Sequence, residues 1–189
     1  MQTTDQFSLF ARSLHWIMAL LVLCMIPAGF LMIQEGIPRG LQNALFLFHK
    51  NIGVLLLILV VIRALYRRFR PPAPLPADIP MIQQRMAALS HLALYGLLFL
   101  LPVAGYIRVK AGGFPIESLD ALGVPALVPR AEWLATAAKT IHFLAGYAIA
   151  GVIAVHIAAA AYHGLVRRDG VFSRMWPPFR SPRSGPPAA

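Results

Sequence analysis

The stretch TIHFLAGYAIAGVIAVHIAAAAYHGL, residues 140–165, decides the reading of this chain. It is long and apolar enough to cross a bilayer as a helix. It also carries His142 and His156, fourteen residues apart. That interval is close to four helical turns, so both rings leave the same face, separated along the axis by roughly 21 Å. They fall near opposite edges of a hydrocarbon layer about 30 Å thick. An imidazole at membrane depth marks a functional site by default. Two on one face at two depths suggest two flat apolar cofactors, one above the other. Haem held by axial histidine answers that description.

The rest of the chain agrees with a membrane setting. Of its 189 residues 58% are hydrophobic and 13% charged, and mean hydropathy is +0.67. The length suits a single domain, 1–189. Four spans are expected, near 13–33 (SLHWIMALLVLCMIPAGFLMI), 46–66 (FLFHKNIGVLLLILVVIRALY), 88–109 (ALSHLALYGLLFLLPVAGYIRV) and 138–165. The first is longer than the apolar core of a signal peptide, holds His15 and lacks a clean small-residue cleavage site. The predicted fold is all-α, an integral membrane four-helix bundle holding two b-type haems.

Charge sets an expected orientation. Arg12, Arg63, Arg67, Arg68, Arg70, Arg85, Arg167, Arg168, Arg174, Arg180 and Arg183 fall on one side. Arg39, Lys50, Arg108, Lys110, Arg130 and Lys139 fall on the other. The positive-inside rule then puts both termini in the cytoplasm. The net charge of +10 reads as topology and attraction to anionic lipid. The basic residues flank spans and build no separate basic domain, which argues against nucleic acid. PPAPLPADIP (71–80) reads as an extended connector. The external stretch 110–133 is expected to cap the outer face with a short helix or turn, and the tail 178–189 to be disordered. The lone Cys24 permits no intrachain disulfide and no CxxCH attachment, so any haem is non-covalent, and Cys24 itself reads as a small core residue.

Sorted by depth, His49 and His142 form an external pair, and His15, His156, His91 and His163 an internal group. One bis-histidine site fits each level: His49 with His142, and His15 with His156, span four giving one ligand to each. A pairing of His142 with His163 overshoots, at roughly 31 Å of helix rise. His163, next to Arg167 and Arg168, reads as an interfacial group. His91 has three open roles: a hydrogen bond to a haem propionate, a quinone contact, or helix packing. Zinc is the weaker metal, since the ligands split between faces with no carboxylate joining them. Arg63 either pairs with an internal propionate or snorkels to the interface. Gly29, Gly53, Gly96, Gly105, Gly146 and Gly151 are small residues for close packing, and Gly146 and Gly151 sit where a porphyrin would approach span four. Pro27 and Pro102 are tolerated kinks. Trp16, Tyr66, Trp133 and Trp176 suit the interfacial belts.

Together LHWIMAL (14–20), FHKNIGVLLLILVVIRALYRR (48–68), HLALYGLLFLLPVAGY (91–106), HFLAGYAIAGVIAVHIAAAAYHGL (142–165) and RRDGVFSRMWP (167–177) resemble the bacterial cytochrome b561 family over nearly the whole chain. The resemblance implies four helices around two b haems, electron exchange with quinone, and a homodimer. Its motifs fall on His15, His49, His142 and His156, and the family also has a histidine where His91 stands. Close members take electrons from superoxide and pass them to ubiquinone, and the six external cations form a rim for steering a small anion, or an ordinary membrane-flanking loop. Two other readings stand beside this one. The first is the cytochrome b subunit of a nickel–iron hydrogenase or formate dehydrogenase, which is similar in motif. The second is a small membrane protein without redox chemistry, which an absorption spectrum separates at once.

Overall fold

A computed structural model describes residues 6–75 and 79–177; the expected tail disorder at 178–189 lies outside the described residues. Helix α1 spans Leu9–Leu31, α2 Arg39–Phe69, α3 Met81–Ala111, the short α4 Glu117–Ala121 and α5 Glu132–Ala161. A π turn at Tyr162–Arg167 prolongs α5, and a 3-10 turn follows at Phe172–Arg174. The described residues contain no strand. Four helices are long and apolar enough to cross a membrane: α1, α2, α3 and α5 with its π turn. The protein is all-α and multi-pass.

Local chemistry sets the helix ends. Ser8 caps α1, its hydroxyl accepting from the Ala11 amide at 3.2 Å. Pro38 and Pro80 sit just before α2 and α3, where a missing N–H costs nothing and the ring blocks helix upstream. Pro27 and Pro102 lie inside α1 and α3 without ending either. Gly113, at φ +80°, turns the chain out of α3, a conformation glycine adopts without steric cost.

Helix α3 packs against α5 and α2, and α2 against α1. The tightest core lies between α1 and α2: Leu14, Met18, Val22, Met25, Leu56 and Val60. Elsewhere large apolar side chains face outward, among them Leu20, Leu92, Leu144 and Leu165. A water-soluble bundle would bury such residues; lipid removes the drive to do so. Cys24 belongs to this outer surface. The expectation of a core cysteine is thus corrected: Val22 and Met25 turn into the α1–α2 seam and leave Cys24 on the opposite side.

The stretch 110–133 contains α4, pinned to the bundle. Glu117 takes an ion pair from Lys50 and a 3.1 Å hydrogen bond from Asn51, while the Ser118 amide donates to the Asn51 side-chain oxygen at 2.8 Å. Lys110 pairs with Asp120, and the Leu127 amide donates to the Tyr106 hydroxyl at 2.8 Å. At the other end the chain closes on itself. The Phe7 amide donates to the Arg174 carbonyl (3.1 Å) and the Trp16 indole to the Met175 carbonyl (2.9 Å). The first and last described segments therefore meet on one face of the bundle.

Candidate functional site

The histidines converge at two levels. His49 from α2 and His142 from α5 hold their ring centres 6.0 Å apart. His15 from α1 and His156 from α5 hold theirs 6.3 Å apart. Two imidazoles that ligate one metal ion from opposite sides, with nitrogen–metal bonds of about 2 Å, place their ring centres about 6 Å apart. Both pairs meet that spacing. Among the described residues no three His, Cys, Asp or Glu side chains converge to enclose a metal ion. Such pairs suit an ion whose remaining ligands come from a macrocycle, as in haem.

The level of His49 and His142, on the α4 side of the bundle, has the more developed surroundings. The His142 Nδ1–H donates to the Leu101 carbonyl at 2.8 Å. That bond fixes the tautomer and leaves Nε2 with its lone pair, the usual way a ligating histidine is oriented. Gly105 stands against the same ring: a Cβ there would lie 3.1 Å from its Cε1. On the other side a Cβ at Gly29 would lie 2.9 Å from Cε1 of His49. Each ring is thus seated on a glycine of a neighbouring helix. A cavity of about 1180 Å³ opens beside the pair, its wall including Val22, Phe30, Leu98, Gly146 and Ile149. It is at or above the upper end of the usual range for small-ligand sites, and mostly apolar side chains line it. Arg108, Arg130 and Lys139 stand on its wall, with Lys50 held by Glu117, and carboxylates of a bound cofactor would find cations there. The residues present fit a haem.

At the internal level His91 of α3 joins the pair, its ring centre 5.6 Å from that of His156. His156 thus has a histidine of α1 and one of α3 at similar distances, and the His91 separation also meets the spacing for two rings on one ion. Arg63 is half-buried and donates to the Ala11 carbonyl at 2.9 Å. Its side chain reaches across to the first turns of α1, a contact open to either expected role. His163 stands apart from the pairs, donating from Nδ1 to Asp169 Oδ2 at 2.6 Å, with Arg167 Nε 3.7 Å from the same oxygen. It braces the turn after the π segment.

Two features were not singled out by sequence reasoning. Gly29 and Gly105, expected only as small residues for close packing, face the histidine rings, while Gly146 and Gly151 face open space and Gly146 lines the cavity. The signal available was depth: Gly29 and Gly105 lie at the external ends of their spans, level with His49 and His142. The second feature is the pairing of Lys50 and Lys110 with α4. The sequence puts both among six cations that read as a steering rim or as an ordinary membrane-flanking loop. The carboxylates that neutralise them are short-range partners in space and 67 and 10 residues away in sequence.

Comparison with known proteins agrees with this architecture. The family model for prokaryotic cytochrome b561 matches residues 6–178. The chain is 33% identical over 175 residues to cytochrome b561 homolog 2 of Escherichia coli (strain K12), covering 92% of each. It is 27% identical over 176 residues to cytochrome b561 homolog 1 of the same organism, covering 92% of this chain and 98% of that one. A helical membrane bundle with paired histidines and a family match over nearly its whole length make one statement: this chain belongs to the prokaryotic cytochrome b561 family of membrane electron-transfer proteins that use haem b.

Proposed function

We propose that the chain is a single-domain, di-haem electron carrier of the bacterial inner membrane, with His49 and His142 holding one haem b and His15 and His156 the other. The observation that carries this is the gathering of histidine rings at two depths, 6.0 Å apart for His49 with His142 and 6.3 Å for His15 with His156; His91 lies as near to His156, and the family motifs favour His15 as the ligand. When bound, haem b supplies a one-electron couple. A group held by two histidines would have no position left for oxygen to bind, so the pairs favour electron transfer over oxygen chemistry. The Leu101 carbonyl keeps His142 in the ligating tautomer. Arg63, on the Ala11 carbonyl, and His91, beside His156, would help hold the internal group, Arg63 by charge and His91 by hydrogen bonding. Superoxide is the proposed donor at the external level, ubiquinone the acceptor, and a homodimer the working state. Support for the donor comes from Arg108, Arg130 and Lys139 on the cavity wall, since such cations raise the encounter rate of a small anion.

The excess of basic residues at the end where the described termini meet supports cytoplasmic termini.

Haem content measured with paired substitutions tests the reading. Wild type should bind about two haems per chain by this ligand arithmetic. His49→Ala and His142→Ala should remove the same spectral component, and His15→Ala and His156→Ala the other. One haem in an undepleted preparation, or a His91→Ala spectrum matching that of His15→Ala in place of a milder change, would overturn the assignment. Wild type that superoxide cannot reduce would instead point to service as a subunit of a larger dehydrogenase.

A further inference from the structure

A second cavity, of about 340 Å³, lies at the opposite end of the bundle from α4. Arg63, Tyr66, Arg67 and Arg70 line it from the last turns of α2. Their spacing is i, i+3, i+4, i+7, so three guanidinium groups and a phenol share one helical face. Opposite stand Ser8 and Ala11 of α1, Tyr95 of α3, and Arg174 of the tail. Among the described residues no carboxylate lines the cavity, and none of the ion pairs includes Arg63, Arg67 or Arg70.

The walls are braced in place. Ser8 and Tyr66 share a hydrogen bond of 2.7 Å between their hydroxyls. Arg174 donates to the Ala73 carbonyl, and the Arg67 guanidinium lies 5.7 Å from the centre of the Tyr95 ring. The bond from Arg63 to Ala11 occupies one donor of a guanidinium fork that has five. What remains is a cluster of charge-assisted donors in a fixed arrangement, the kind that binds phosphate oxygens. The site sits where the apolar run of α2 ends, at headgroup depth. Phe10, Leu65 and Phe69 are exposed on the same two helix ends, giving acyl chains an apolar surface next to the charge.

We propose that this pocket is a binding site for the phosphate-bearing headgroup of an anionic phospholipid. Basic pockets between helices at a membrane face recognise such headgroups. Bilayer depth and the flanking apolar side chains favour lipid over free phosphate. The proposal shares only Arg63 with the haem reading, so the test uses Arg67 and Arg70.

The holoprotein in phosphatidylcholine nanodiscs would be titrated with cardiolipin, and separately with inorganic phosphate, following lipid retention by native mass spectrometry and both haem bands by absorbance. Wild type should retain cardiolipin over phosphatidylcholine. Arg67→Gln/Arg70→Gln should weaken retention about thirtyfold with both haem bands intact, and Arg67→Lys/Arg70→Lys should fall between. Should the double variant fail to fold, Arg70→Gln alone, at an exposed position, should still weaken retention. Equal retention of cardiolipin and phosphatidylcholine overturns the proposal. So does displacement of cardiolipin by phosphate at equal concentration, which makes free phosphate the ligand. Loss of a haem band with unchanged lipid retention also overturns it, and assigns the arginines to a propionate.

Discussion

At the scale of single residues, the external histidines depend on what they lack beside them. Gly29 and Gly105 leave room that a methyl group would take from the His49 and His142 rings. At Gly29 the contact would be 2.9 Å, too close without movement of the ring. Gly29→Ala should therefore lower occupancy of the external haem while the internal haem band stays. Gly105→Ala, where the contact is 3.1 Å, should do so less. Spectra of the two variants with haem quantification check this; loss of the internal band instead would detach Gly29 from His49. Histidine spacing was legible in the primary structure because helical periodicity is regular. The glycine seats were not, because a glycine that packs on a ring and one that faces open space look alike until the partner helix is placed.

At the scale of elements, two short segments close the ends of the bundle by ion pairing. Helix α4 is held by Lys50–Glu117 and Lys110–Asp120. Burial alone would raise the Glu117 carboxyl, but hydrogen bonds from Lys50 and Asn51 outweigh it and hold it below the usual carboxylate range. Because both lysines are paired, steering should rest on the remaining cations. Arg130→Gln/Lys139→Gln should slow reduction by superoxide at low salt, the difference shrinking as salt rises. Glu117→Gln should speed reduction slightly by freeing Lys50. Stopped-flow rates with both haem bands intact check these outcomes, and salt-independent rates would remove steering. At the other end, Asp169 is pulled two ways: burial raises its pKa, while bonds from His163 and the Val171 amide, with Arg167 nearby, lower it overall. The carboxylate thus adds stability above the ordinary value of about 4, and that stability is lost as pH falls through the lower folded value. Asp169→Asn should cost about 1–3 kcal/mol at neutral pH and flatten the acid limb of a melting-temperature profile. A profile unchanged by the substitution would show that the His163–Asp169 bond does not hold the turn.

At the scale of the whole molecule, the two ends of the bundle differ in kind. One carries the α4 cap and the large cavity; the other gathers the first and last described segments around arginines. If the basic end is cytoplasmic, a cysteine introduced by Arg68→Cys should react with an impermeant maleimide only in inside-out vesicles. One introduced by Leu127→Cys, at an exposed position, should react only in right-side-out cells. Cys24→Ser provides the background. The reverse pattern would invert the topology and move the α4 end to the other compartment.

Sequence alone determined the membrane class, the four apolar helices and the two depths of histidine, because length, hydropathy and helical rise are local quantities. It also carried the family, through motifs spread over nearly the whole chain. Tertiary structure decided which groups meet: the third histidine beside His156, Arg63 turned onto α1, Cys24 on the outer surface, two rim lysines neutralised by α4, and glycines under the ligand rings. Each is a contact between helices, and the rotation of one helix against its neighbour is set by packing that hydropathy leaves unspecified when every face is apolar.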